Sequence, residues 1–152
     1  MRMVVVPHLG GTMSSELIKP IQVLLESLAA SVRGALEWKW DGRFGAVLAE
    51  FSADRADELL ETLQQHFSSS WDSTSVRDAP EIVQAASKKL GGLMPGQRLL
   101  ISDLDNRACV FCAWWPWGNG LRISIRVAPF GEDVQAEEAS AWIAVLQSAF
   151  EI

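Results

Sequence analysis

The chain has 152 residues, 49% of them hydrophobic and 21% charged, and its 19 acidic side chains against 13 Lys and Arg residues give a formal net charge of −6. A chain of this length can bury a core without disulfides or metals, and its acidic balance opposes binding to a phosphate backbone. Its apolar runs are shorter than the ~20 residues of a membrane span and the ~7 to 15 of a secretory signal. We therefore expect a single cytoplasmic domain over residues 1–152 that binds neither nucleic acid nor membranes.

The N-terminal part of the chain predicts a short strand and a helix. Met3–Val6 is a β-rich run, and the glycines of His8–Thr12 (HLGGT) predict a turn or loop after it. Apolar residues then recur at helical spacing from Leu17 to Val32. Because a proline inside a helix loses a backbone hydrogen bond and clashes with the preceding turn, Pro20 predicts that the regular helix begins near it.

A β-hairpin is the next predicted element. Leu36, Trp38 and Trp40 alternate with charged residues, which is typical of a half-buried strand, and Asp41-Gly42 supplies a two-residue turn. The register predicted from this turn places Trp40 opposite Arg43, Trp38 opposite Gly45 and Leu36 opposite Val47, with the second strand ending near Phe51.

Two helices and a loop separate this hairpin from the next strands. Ser52 is an N-cap candidate for a helix that ends at Phe67, and the Ser-rich segment Ser68–Ser75 predicts a loop. Asp78 is a candidate cap for a second helix, which Gly91 ends.

The last third of the chain predicts a three-stranded meander and a final helix. The strands are Arg98–Asp103, Ala108–Trp115 and Leu121–Ala128, and Gly131-Glu132-Asp133 opens the helix. Symmetric pairing about the second loop places Trp115 opposite Leu121, on the core face. The other face then carries Val110, Cys112 and Trp114 opposite Arg126, Ser124 and Arg122.

Together these elements predict an α+β domain, in which four helices pack with a mainly antiparallel sheet of about five strands built from the hairpin and the meander. From the first helix onward, the element order resembles that of roadblock and profilin-like domains, and more loosely that of PAS and GAF sensor domains. The resemblance covers element order alone, so it transfers no functional residue to this chain.

The segment Trp114–Gly120 (WWPWGNG) is the candidate for recognition. Trp117 falls in a hairpin loop, where an exposed apolar ring needs a reason, and Trp114 opposite Arg122 is suited to cation–π stacking. Trp and Arg are enriched at interface hot spots. The predicted binding residues are Trp114, Trp117, Asn119, Arg122 and Arg126. In the alternative interpretation a helix covers this face and the tryptophans are packing residues.

Other motifs have simpler interpretations. Cys109 and Cys112 have the spacing of redox and zinc motifs, but residues three apart on a strand point to opposite faces, which indicates two buried apolar thiols. His8–Thr12 is a weak candidate for anion binding and is interpreted as a structural loop, because it lacks the lysine of a phosphate-binding loop. His66 is interpreted as a solvated residue near a helix C-terminus, and Asp103 with Asp105 as turn residues.

No nucleophile, metal set or cofactor motif is recognisable, so we expect no enzymatic activity, no cofactor and no bound metal. The preferred hypothesis is a non-catalytic domain that acts through protein–protein contact, as a homodimer. Two alternatives remain open. One is a sensor domain that holds a small apolar ligand between sheet and helices, as the PAS and GAF resemblance implies, and the other is an acidic protein similar to secretion chaperones.

Overall fold

The computed structural model describes residues 9–105 and 107–152, including the side chains from residue 16 onward. Within these ranges the chain forms four α-helices and one six-stranded antiparallel sheet, which confirms the α+β class and adds one strand to the expected number. The helices are α1 (Leu9–Ser31), α2 (Ala56–Gln64), α3 (Glu81–Lys89) and α4 (Ala136–Ala149). The strands are β1 (Lys39–Asp41), β2 (Ala46–Ser52), β3 (Ser69–Asp72), β4 (Arg98–Asp105), β5 (Ala108–Pro116) and β6 (Arg122–Gly131).

The strand order is β1-β2-β6-β5-β4-β3. Different helices cover the two faces of this sheet. The first, here called the helix face, carries alternate residues such as Val47, Val127 and Cys112, and α1 and α4 pack on it. The opposite face, here called the mixed face, carries the intervening residues, among them Leu48 and Arg126. Helix α3 contacts β5 and β6 on the mixed face. Strand β5 is buried on both faces because it lies between these layers.

Helix α1 extends further toward the N-terminus than expected. It begins at Leu9 and continues through Pro20, so the turn predicted for the glycines of His8–Thr12 is wrong from Leu9 onward. Four residues of the predicted apolar stripe, Leu17, Ile21, Leu28 and Val32, are buried, and Leu25 is buried beside them. The predicted strand Met3–Val6 and His8 lie outside the described residues.

The first hairpin has a longer turn than predicted. Trp40 pairs with Val47 and Asp41 with Ala46, so the chain turns over residues 42–45 and Leu36 lies before the strand. Asp41 Oδ1 accepts a hydrogen bond from the Arg43 backbone N–H at 3.1 Å, which favours this turn over a two-residue one.

The region between β2 and β4 also differs from the expected pattern. Ser52 does act as a cap, since its Oγ accepts a hydrogen bond from Asp54 N–H, but it caps a 3₁₀ turn that precedes α2. The Ser-rich segment predicted as a loop contains strand β3, which pairs with β4. Asp78 lies in a second 3₁₀ turn, and Pro80 occupies the cap position of α3 instead.

The register of β5 with β6 corrects the predicted faces. Trp115 pairs with Ser124 and Trp114 with Ile125, three positions away from the predicted pairing. An odd shift moves every side chain to the other face of the sheet. Trp114 therefore lies on the helix face together with Val110 and Cys112, and Trp115 lies on the mixed face. The cause is the loop, in which the Trp117 backbone N–H donates to the Arg122 carbonyl at 2.8 Å and Gly120 adopts a φ of +73°.

Candidate functional site: the outer mixed face

On the part of the mixed face over β1, β2 and the first half of β6, the side chains pack against one another. We call it the outer mixed face. Helix α4 packs against β2 on the other side of the sheet. The outer mixed face comprises Lys39, Asp41, Phe44, Leu48, Glu50, Trp115, Trp117, Arg122, Ser124 and Arg126.

An arginine between two aromatic rings forms its centre. The Arg126 Cζ atom lies 4.7 Å from the centroid of the Trp115 ring and 5.1 Å from that of Phe44. The two rings meet edge to face, with centroids 5.6 Å apart. Such contacts favour a guanidinium over a compact ammonium, because a planar cation lies flat on an aromatic face.

Asp41 fixes the same guanidinium from the hairpin. Arg126 Nε donates to Asp41 Oδ2 at 2.8 Å, and the two side chains are only 11% and 13% exposed. Burial raises the pKa of Asp41, but the hydrogen bond and the charge of Arg126 outweigh it and hold that pKa below its ordinary value of 3.8. The carboxylate is therefore ionised at neutral pH.

The β5–β6 loop adds a second aromatic–cation pair. Trp117 is 39% exposed, and the Arg122 Cζ atom lies 5.7 Å from its ring centroid. The Trp117 Nε1–H group donates to Ser124 Oγ at 2.8 Å, which ties the loop to the sheet. Asn119 Oδ1 accepts a hydrogen bond from Leu121 N–H at 2.9 Å, so this side chain shapes the loop.

Polar contacts continue from this loop to the sheet edge. Ser124 Oγ donates to Glu50 Oε2 at 3.4 Å, and Glu50 Oε1 lies 3.9 Å from Lys39 Nζ. Both side chains of this last ion pair are partly exposed, so a partner can reach them. The outer mixed face thus combines fixed aromatic rings with accessible charges of both signs.

The structure brings together four of the five predicted binding residues. The β5–β6 loop and its flanks contain Trp117, Asn119 and Arg122. Arg126 lies on the same face of β6, two residues beyond Ser124. Trp114 is in the core, where its ring lies 5.5 Å from that of Phe51.

The sequence pattern does not identify three further members of this face, which are Phe44, Trp115 and Asp41. The predicted pairing of Trp114 with Arg122 is replaced by contacts of Trp115 with Arg126 and of Trp117 with Arg122. The alternation of Trp115 with Trp114 shows that one of them faces the cations, but the strand register decides which.

The remaining motifs have structural positions. Cys109 and Cys112 are free and buried, as predicted, and burial raises the pKa of each thiol to about 12. His66 is half-buried, and burial lowers its pKa. Asp103 and Asp105 belong to β4 and flank a bulge, where Asp105 Oδ1 accepts from Arg107 N–H at 2.7 Å. No group of three His, Cys, Asp or Glu side chains in the described ranges has the geometry of a metal site.

Comparison with known proteins gives no relative: the chain matches no family model, no curated protein and no solved structure. In the part of the chain that the structure describes, no helix has both the length and the hydrophobicity of a membrane span.

Proposed function

We propose that this chain is a non-catalytic protein-interaction domain that forms a homodimer through the outer mixed face. One observation supports the proposal: the exposed Trp117 ring lies beside the Phe44–Arg126–Trp115 stack, on the side of the sheet opposite α4. Aromatic and arginine side chains held in one conformation lose little entropy on binding, which is why they dominate interface hot spots.

The charges of this face favour a second copy as the partner. A two-fold interface places the same patch of both subunits face to face, so the patch must complement itself. Lys39 and Glu50 are neighbours of opposite charge on adjacent strands, 3.9 Å apart. With the two-fold axis between Lys39 and Glu50, Lys39 of each copy would therefore face Glu50 of the other, and the aromatic rings around them would supply the apolar part of the interface.

A charge-swap experiment tests this arrangement. Lys39→Glu and Glu50→Lys each create like charges across the axis, so each variant alone should dimerise at least about tenfold more weakly than the original chain. An equimolar mixture of the two variants should form heterodimers, because each copy then meets the opposite charge. Sedimentation equilibrium of the separate and mixed variants measures both effects.

The matched control is the Arg33–Glu151 ion pair, which is exposed and has its atoms 3.5 Å apart. Arg33→Glu and Glu151→Arg should leave dimerisation unchanged, both alone and mixed. The double variant Trp117→Ala/Arg122→Ala should weaken dimerisation while changing the melting temperature little, since Trp117 is partly exposed.

A chain that stays monomeric at about 1 mM would overturn the proposal, because a dissociation constant above that value is too weak for a specific homodimer. Equal dimerisation of the single variants and of their mixture would instead show that the copies meet through another surface.

A further inference from the structure

A second candidate site lies at the opposite end of the sheet from the β5–β6 loop. It is a cleft of about 380 Å³ between the end of β6 and α4. Its walls include Pro129, Phe130, Val134, Trp142 and Ile143. This volume and this mainly apolar lining are typical of small-molecule sites, which bury an apolar body and orient it with few polar groups.

The cleft exists because β6 extends beyond its neighbour β2. The pairing of β2 with β6 ends at Val127, and β6 continues to Gly131. Gly131 lets the ring of Trp142 lie directly on the strand, since a Cβ atom at residue 131 would be 2.9 Å from Trp142 Cη2. The free end of β6 and the indole thus form two sides of the cleft.

A cationic hydrogen-bond donor lines the cleft from α3. Lys89 has its Nζ atom 5.6 Å from the centroid of the Phe130 ring. No described carboxylate lies within 4.0 Å of this ammonium.

Of the described residues that line the cleft, one carries a carboxylate, and this carboxylate has a partner elsewhere. Asp133 Oδ2 lies 3.5 Å from an Arg107 Nη atom, and its side chain is largely exposed. Among the described residues, the cleft therefore offers the positive charge of Lys89 against mainly apolar walls.

We infer that this cleft binds a small monocarboxylate with an apolar body of about ten carbon atoms, a size that its volume accommodates. The carboxylate is neutralised by Lys89, and the apolar body lies against Phe130, Ile143 and the ring of Trp142.

NMR spectroscopy tests the site directly with 4-phenylbutyrate and octanoate as probes. Each of the seven Trp residues contributes one indole N–H signal to a two-dimensional spectrum, and the signal that disappears in Trp142→Phe is that of Trp142. Titration should shift the Trp142 signal, because the Trp142 ring lines the cleft, and leave those of Trp71 and Trp117 unchanged. The alcohol 4-phenylbutan-1-ol, which has the same apolar body without the charge, should bind about tenfold more weakly.

Lys89→Met retains the length of the side chain and removes its charge, and Lys88→Met is the matched control on the adjacent residue. Lys89→Met should weaken 4-phenylbutyrate about tenfold and leave the alcohol unchanged, whereas Lys88→Met should change neither. An unchanged indole spectrum before titration establishes that each variant is folded. Failure of both carboxylates to shift the Trp142 signal would overturn the inference, as would equal affinity of the original chain and Lys89→Met.

Discussion

Arg126 is held on three sides, by the rings of Phe44 and Trp115 and by the carboxylate of Asp41. A guanidinium that is 11% exposed has lost most of its hydration, so the carboxylate must compensate for it. Removing the charge of Asp41 leaves a desolvated cation, and this cost exceeds the value of an exposed ion pair, which is typically below about 1 kcal/mol. The pair is therefore a structural part of the outer mixed face.

The first prediction concerns this pair. Asp41→Asn keeps the shape of the side chain and its acceptor for Arg43 N–H, but removes the charge. We expect it to lower the free energy of unfolding by about 2 kcal/mol, the size of a hydrogen bond between charged groups. Asp133→Asn, which breaks an exposed ion pair, should change that free energy by less than about 0.5 kcal/mol. Urea denaturation at pH 7 measures both.

The difference in free energy of unfolding between the original chain and Asp41→Asn depends on pH. The folded-state pKa of Asp41 lies below its ordinary value of 3.8, so its contribution is fully present above that value and is lost as the pH falls through the folded-state pKa. The difference between the original chain and Asp41→Asn should therefore be constant above about pH 5 and shrink in acid. A difference that grows in acid would contradict the assigned role of the pair.

Among the secondary-structure elements, those with a strong apolar pattern were predictable. The helical stripe of α1, the end of α3 at Leu90-Gly91 and the three strands of the meander follow from side-chain periodicity and from glycine. Strand β3 was not predictable, because serine favours loops and the strand forms through its pairing with β4. Trp71 stabilises it locally, since its Nε1–H donates to Ser69 Oγ at 2.9 Å.

The composition of the outer mixed face depends on a single loop. The sequence places Trp and Arg residues on facing strands, but the register depends on whether Leu121 belongs to the loop or to the strand. Leu121 is exposed and lies in the loop, against the usual preference of leucine. That choice places Trp115 beside Arg126 and sends Trp114 to the core, so the membership of the site could not be derived from periodicity alone.

The second prediction concerns Pro20, an exposed residue inside α1. A proline in a helix interior is about 3 kcal/mol less favourable than alanine, and it restricts the unfolded chain by up to about 1 kcal/mol in compensation. Pro20→Ala should therefore raise the free energy of unfolding by about 2 kcal/mol and increase the helical circular dichroism signal. The control Lys19→Ala should have little effect. A loss of stability would indicate that the helix begins at Pro20, where proline is favoured.

At the scale of the whole molecule, different helices cover the two faces of the sheet, and each helix layer buries one of the two cysteine thiols. The helix face is covered by α1 and α4, and α3 packs on the inner part of the mixed face. Cys112 lies on the helix face and Cys109 on the mixed face, because residues three apart on β5 point to opposite faces. Reaching both thiols thus requires both layers to separate from the central strand.

The third prediction uses these thiols as reporters of global unfolding. Burial raises the pKa of both to about 12, so at pH 8 the native chain contains almost no reactive thiolate. Cys109→Ala and Cys112→Ala each leave one thiol, and its reaction with a disulfide reagent should be limited by opening of the structure. We expect the opening free energy from each thiol to equal that variant's free energy of unfolding in urea, because both faces of β5 belong to one sheet and become exposed together when that sheet unfolds cooperatively. Faster labelling of Cys109 than of Cys112 would instead show that α3 separates from the mixed face while α1 and α4 remain packed.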